Sequence, residues 1–266
     1  MNMYLHELKS LRKSTIIWTC SIVAMAVLYF SIYPSMAKDA DKFKELLAGY
    51  PESVRAMLGI SLDTITSILG FYSMIFSFIT LFGAIQGMNI GISILSKEVR
   101  ERTADFLLVK PVSRQKIVSA KLMAALTMIV ITDVIYYAVA SIFANNVKTE
   151  DYSNKLFFMI SLTLFFIQII FLAIGVVVSV FFNKIKSVLP ISLGIVFGLY
   201  FIGALIATGD SDIERFISPF KYFNPSYIIK NSSFEVPYLI AGAVIVIVSI
   251  IVSYIIYIKK DIHAVN

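Results

Sequence analysis

Hydrophobic and polar positions do not alternate along this chain; they separate into long blocks. Six apolar runs, at residues 16–36, 67–95, 121–144, 156–182, 188–207 and 236–258, are divided by short polar stretches. Each is as long as the roughly 18–20 residues a helix needs to cross the hydrocarbon core of a bilayer. None shows the in–out alternation of a barrel strand. In hydrocarbon every backbone donor and acceptor must be met within the segment, so the runs predict helices. Six spans and their connections use nearly all of the 266 residues. The expectation is one all-α integral membrane domain over 1–266, with six transmembrane helices and short interfacial and re-entrant helices between them.

The stretches between the runs carry pattern of their own. In 37–63, Phe43, Leu46, Leu47, Tyr50, Val54, Met57 and Leu58 recur at steps of three and four, which predicts amphipathic helices broken at Gly49-Tyr50-Pro51. Residues 1–15 place Leu5, Leu8 and Leu11 beside Lys9, Arg12 and Lys13. That suits either a helix at the membrane interface or a basic flank that orients the first span. The first run is longer than the 7–15 residues of a signal-peptide core, so Ser35-Met36-Ala37 is read as part of a retained span.

Charge supplies the orientation. With the N-terminus inside, 14 of the 23 Lys and Arg residues fall on the inner side, and eleven of the 17 carboxylates fall outside. The positive-inside rule therefore places both termini in the cytoplasm. This asymmetry accounts for the formal charge of +6 without a nucleic-acid ligand. The one cysteine, Cys20, excludes an intrachain disulfide. The only histidines, His6 and His263, lie outside the runs, so no intramembrane His-Glu-x-x-His zinc site exists, and there is no Gly-x-Ser-x-Gly elbow. The P-loop pattern Gly-x-x-x-x-Gly-Lys-[Ser/Thr] is also missing. The chain is not expected to be an enzyme, to hold a cofactor or metal, or to hydrolyse ATP by itself.

Two sets of residues carry candidate chemistry. Gln86, Asn89, Asp133 and Gln168 are the polar side chains expected inside the spans, where they could line a substrate path. For Asp133, a structural hydrogen bond to another span explains its position as well as substrate contact does. Gly83, Gly87 and Gly91 lay a smooth strip along the second span, suited to close packing within the chain, to a dimer seam or to a sliding face.

The second set lies in the inner loop 96–120. Thr103 and Asp105 suit the start of a short amphipathic helix with Phe106, Leu107 and Leu108 on its apolar side. Pro111 ends it, and Ser113 caps the next span. This loop resembles the coupling segment of type-two ATP-binding-cassette (ABC) exporter permeases, roughly E-x-x-x-G-T-x-E-x-L-L-x-x-P-x-S-R followed by a lysine. Glu98, Glu101, Thr103, Asp105, Leu107, Leu108, Pro111, Ser113, Arg114 and Lys121 fall at matching positions, with Arg102 in place of Gly and Asp105 in place of Glu. The six-span layout and the outer segment 217–225 also resemble that family.

The resemblance implies a bacterial plasma-membrane permease that pairs with a second permease copy or homologue and with two ATPase subunits, which bind ATP and Mg. It implies that Glu98, Glu101, Arg102, Thr103, Asp105, Phe106, Pro111 and Arg114 form the coupling contact. It also implies that 211–230 forms short outer helices that re-enter the membrane edge, with breaks at Pro219 and Pro225. On the residues alone, a secondary transporter or channel, or a membrane adaptor without transport, stays open.

Overall fold

The computed structural model describes residues 3–58, 60–100, 112–182, 185–206 and 214–259. Six helices in it are long and apolar enough to cross a membrane: α1 (Met3–Lys38), α4 (Ile68–Arg100), α5 (Arg114–Val147), α6 (Asn154–Phe181), α7 (Val188–Ile206) and α9 (Val236–Lys259). Among the described residues there is no β-strand. Two short helices, α2 (Ala40–Ala48) and α3 (Glu52–Met57), follow α1, and α8 (Pro225–Asn231) precedes α9.

The break between α2 and α3 falls at the expected Gly49-Tyr50-Pro51, although Gly49 keeps an ordinary helical φ of −69°. At the N-terminus the structure decides between the two readings. Residues from Met3 onward continue the first span without interruption, through Pro34 and through Ser35-Met36-Ala37. At about 1.5 Å per residue, α1 exceeds the roughly 30 Å hydrocarbon thickness, so its basic first turns project beyond it.

The centre of the bundle is α4, packed closely against α6. Its long charge-free sequence follows from that position, because a helix surrounded by other helices needs no polar face. The glycine strip lies in this intrachain seam. A methyl group at Gly87 would collide with the backbone carbonyl of Gln168, and one at Gly91 would collide with Leu172. On the facing helix, a Cβ at Gly175 would come within 2.7 Å of the Met88 carbonyl oxygen. The strip therefore brings two backbones together as small-residue stripes do in membranes.

α1 and α5 pack side by side against this pair, and their outward faces, with α7 and α9, are apolar and exposed: Leu28, Val134, Leu205 and Val236 are examples. Such faces suit lipid, which is as apolar as they are.

At one end of the bundle meet the start of α1, the end of α4, the start of α5 and the end of α9. Arg114 Nη1 donates to the Ile258 carbonyl at 3.0 Å, and the hydroxyls of Ser119 and Tyr254 are 2.6 Å apart. The segment joining α4 to α5 leaves from this end. Ser113 caps α5, its hydroxyl accepting from the Lys116 amide at 3.4 Å, and Ser153 caps α6 in the same way from Leu156.

At the opposite end, residues 214–224 turn back into the bundle. Ser218 donates to the Leu199 carbonyl at 2.8 Å, well within α7, and the Phe220 ring lies 5.0 Å from that of Phe171 in α6. Over the described residues this matches the inward excursion that the family resemblance implies for 211–230. Its two single-turn 3₁₀ helices are Glu214–Ile217 and Pro219–Lys221. Pro225 occupies the first position of α8, where Asn224 caps the helix by accepting from the Ser226 and Tyr227 amides.

Candidate functional site: a buried ion cluster and a polar chain through the bundle

At the loop end, Lys121 is completely buried in the second turn of α5. A buried ammonium requires partners for its three N–H groups, and three are present. Lys121 Nζ donates to the Ile94 carbonyl at 2.8 Å, to Glu7 Oε1 at 3.1 Å, and to Glu98 Oε1 in a closer contact. Three helices, α1, α4 and α5, thus share one cation. The cluster has two carboxylates to one ammonium, and Glu98 Oε2 is buried without a hydrogen-bond partner. Close by, Lys97 donates to Ser10, a second polar tie from α4 to α1.

Of the proposed coupling residues, Glu98 and Arg114 lie in the described structure. Glu98 turns to Lys121, and Arg114 holds the last turn of α9. Glu101, Arg102, Thr103, Asp105, Phe106 and Pro111, with the short amphipathic helix expected there, lie outside the described residues.

Sequence reasoning missed Glu7 as a partner. The signal was available: Glu7 is the sole carboxylate in the first 38 residues, set among basic ones.

Midway through the bundle a second group of polar side chains links four helices. The hydroxyls of Thr19 in α1 and Thr132 in α5 are 2.8 Å apart, and Gln86 of α4 lies 2.9 Å from the Thr132 hydroxyl. The side-chain amides of Gln86 and Gln168, the latter in α6, are 3.0 Å apart. With its nitrogen turned to the carboxylate, Gln168 donates to Asp133 at 2.9 Å (Oδ2) and 3.2 Å (Oδ1), and its oxygen accepts from Gln86 once that amide is turned as well, which leaves the Gln86 oxygen to accept from the Thr132 hydroxyl. That orientation is preferred because it gives the carboxylate a donor. Gln86, Thr132 and Gln168 are fully buried.

Three of the four residues singled out as intramembrane polar groups are therefore neighbours. The fourth, Asn89, is half-buried and makes no side-chain hydrogen bond among the described residues. No cation among the described residues pairs with Asp133. A smaller chain missed by sequence reasoning lies nearer the other end, where the Tyr72 hydroxyl is 2.6 Å from that of Tyr136 and 2.8 Å from that of Ser161. Its tyrosines sit in runs so aromatic that they read as apolar surface.

The described residues hold no group of three or more His, Cys, Asp or Glu side chains placed to bind a metal. Among the described residues, neither cluster sets a nucleophile beside a base or lines a phosphate cradle. They offer instead a buried ionic joint where α1, α4 and α5 meet and a hydrogen-bonded seam across four helices. These features define a multi-pass helical membrane protein with a buried ion cluster where α1, α4 and α5 meet.

Comparison with known families gives this class a name. The family model described as ABC-2 family transporter protein matches residues 1–262, and the chain belongs to that family. No curated protein matches the chain. The family assignment makes the chain the membrane component of an ABC transporter, a permease that works with ABC ATPase subunits.

Proposed function

We propose that the chain is the transmembrane permease of an ATP-driven exporter, and that the segment between α4 and α5 receives the stroke of separate ATPase subunits. The observation that carries this reading is the Glu7–Lys121–Glu98 cluster at the root of that segment. A loop that transmits force needs a stiff mounting, and a buried, hydrogen-bonded ion pair resists displacement because separating it leaves charge unpaired in a low-dielectric site. Movement of the loop root is thereby passed to α1 and α5 together.

Glu101, Arg102, Thr103, Asp105, Phe106 and Pro111 form the ATPase contact, with the charges setting registry and Phe106 as the apolar anchor. Glu98 is assigned to the mounting, and Arg114 ties it to α9. Both termini face the cytoplasm, in accordance with the basic inner loops. The working unit contains two permeases, as copies or homologues, and two ATPases that bind ATP and Mg, in a bacterial plasma membrane. Gln86, Asp133 and Gln168 mark the seam that repacks as access alternates between the two sides, and Asn89 lies one turn away.

The test uses the reconstituted complex. Glu101→Ala and Phe106→Ala should lower substrate flux per ATP hydrolysed by about tenfold or more, since each removes a contact of hot-spot type. Flux that continues undiminished when the ATPase is absent would instead favour a secondary transporter.

A further inference from the structure

Asp133, Gln168, Gln86 and Thr132 form one line of contacts through the central turns of α5, α6 and α4, and Thr19 of α1 joins it at Thr132. Gln168 is the only side chain that bonds to Asp133 among the described residues. A side-chain amide has an oxygen that accepts and a nitrogen that donates, and half a rotation exchanges the two with little change of shape. Two amides in series do not orient independently. Whichever end Gln168 turns to Asp133, it turns the other to Gln86.

The line therefore has two complete directions. In the first, donors point toward Asp133: the Thr132 hydroxyl donates to the Gln86 oxygen, the Gln86 nitrogen to the Gln168 oxygen, and the Gln168 nitrogen to the carboxylate. In the second they point away from it. A protonated Asp133 donates to the Gln168 oxygen, and the Gln168 nitrogen donates to the Gln86 oxygen at 3.0 Å. The Gln86 nitrogen then donates to the Thr132 oxygen at 2.9 Å, and the Thr132 hydroxyl to the Met128 carbonyl at 3.1 Å. Thr19 donates to Thr132 in both. A mixed arrangement would set oxygen against oxygen, or nitrogen against nitrogen, between fully buried amides, at the cost of an unmet polar group. The proton on Asp133 is what separates the two directions.

The surroundings supply no charge that would fix either form. Over their central turns α6 and α9 carry no ionisable side chain, and α1 carries only the exposed Cys20. α5 adds Tyr136 and Tyr137, and Tyr72 of α4 bonds to Tyr136. We propose that Asp133 is a proton-binding site, and that its proton sets the direction of the hydrogen-bond chain across α5, α6 and α4. When the carboxylate takes a proton from water and gains an O–H bond, both amides turn over, and Thr132 moves its donated bond from Gln86 to its own helix. No proton travels along the chain. One ionisation on α5 is thus felt on two other spans. The site deepens the seam of the permease reading but titrates in the chain alone. Failure of the titration would leave the ATPase reading intact, and an absent ATPase would leave the titration intact.

Solid-state NMR of the full chain in phospholipid bilayers provides the test, with glutamine labelled at its side-chain nitrogen and aspartate at its carboxyl carbon. The chain has three glutamines, of which Gln115 is exposed and serves as the reference. Between alkaline and acid pH the Gln86 and Gln168 signals should shift together, at a midpoint shared with one aspartate carboxyl, while Gln115 stays in place. Asp133→Asn should remove that aspartate step and freeze both glutamine signals. A shift of Gln168 without Gln86 would overturn the coupled reversal. Signals that hold still, that share no midpoint with an aspartate, or that still shift in folded Asp133→Asn would overturn the proton site. Should Asp133→Asn fail to fold, the shared midpoint in the unmodified chain decides.

Discussion

The two polar clusters of this bundle solve the same burial problem by different means. At the loop end, an ammonium and two carboxylates are held in mutual contact, with a backbone carbonyl completing the set. At mid-bundle, one carboxylate is met by a neutral amide and linked through a second amide to two hydroxyls. The first arrangement loses a large Coulomb attraction if it opens, whereas the second exchanges hydrogen bonds of similar strength. The difference separates a charged clamp at the root of the α4–α5 segment from a neutral seam, along Gln86 and Gln168, whose hydrogen bonds are of exchangeable strength.

The mid-bundle cluster hangs on the close approach of α4 and α6, and the largest effect should come from breaking that approach. Gly87→Leu places a side chain where the Gln168 carbonyl already sits. Overpacking of this kind costs about 1–3 kcal/mol or more, and here the obstruction is backbone. Loss of folded, monodisperse protein in size-exclusion chromatography is expected.

Lys121→Met comes next. It leaves Glu7 and Glu98 buried together without a cation, at a cost of about 3–5 kcal/mol, visible as a lowered thermal midpoint. Adding Glu7→Gln and Glu98→Gln to that variant should recover most of the loss; no recovery would show that packing, not charge, holds the joint.

Asp133→Asn should be milder. Its amide can still bond to Gln168 after rotation, so the change should stay near 1 kcal/mol, the net worth of an ordinary hydrogen bond. Transport by this variant at the normal rate would rule out an essential charge at Asp133 and leave the seam purely structural.

The smallest effect belongs to the exposed pair Lys148–Asp151, 2.6 Å apart at the head of α6. Lys148 holds the Asp151 carboxyl below its usual range. Its contribution is present above the unfolded carboxylate pKa and lost as pH falls through the lower folded value. Asp151→Asn should leave the thermal midpoint at neutral pH within experimental scatter, as solvent screening dictates for such pairs.

The spans were legible because apolar length is a strong local signal. The helices observed begin and end within a few residues of the apolar runs, except where α1 and α5 extend outward through basic turns. Ser113 and the Gly49-Tyr50-Pro51 break were legible for the same reason, since capping and proline act locally, whereas the re-entrant segment was implied by the family resemblance. The tertiary pairing was not. Gln86 and Gln168 stand 82 positions apart and Glu7 and Lys121 more than a hundred, and nothing local names their partners. Sequence reasoning could place Asp133 inside a span but could not choose which helix would answer it.

The central claim is that the segment between α4 and α5 is the seat of an ATPase. Affinity purification of the full chain from its native membrane, beside a chain lacking residues 101–110, tests it most directly. The account predicts that the full chain brings down an ATP-hydrolysing subunit, and that the shortened chain folds with an unchanged thermal midpoint but loses it. An ATPase retained by the shortened chain, or none recovered with the full chain, would contradict the account.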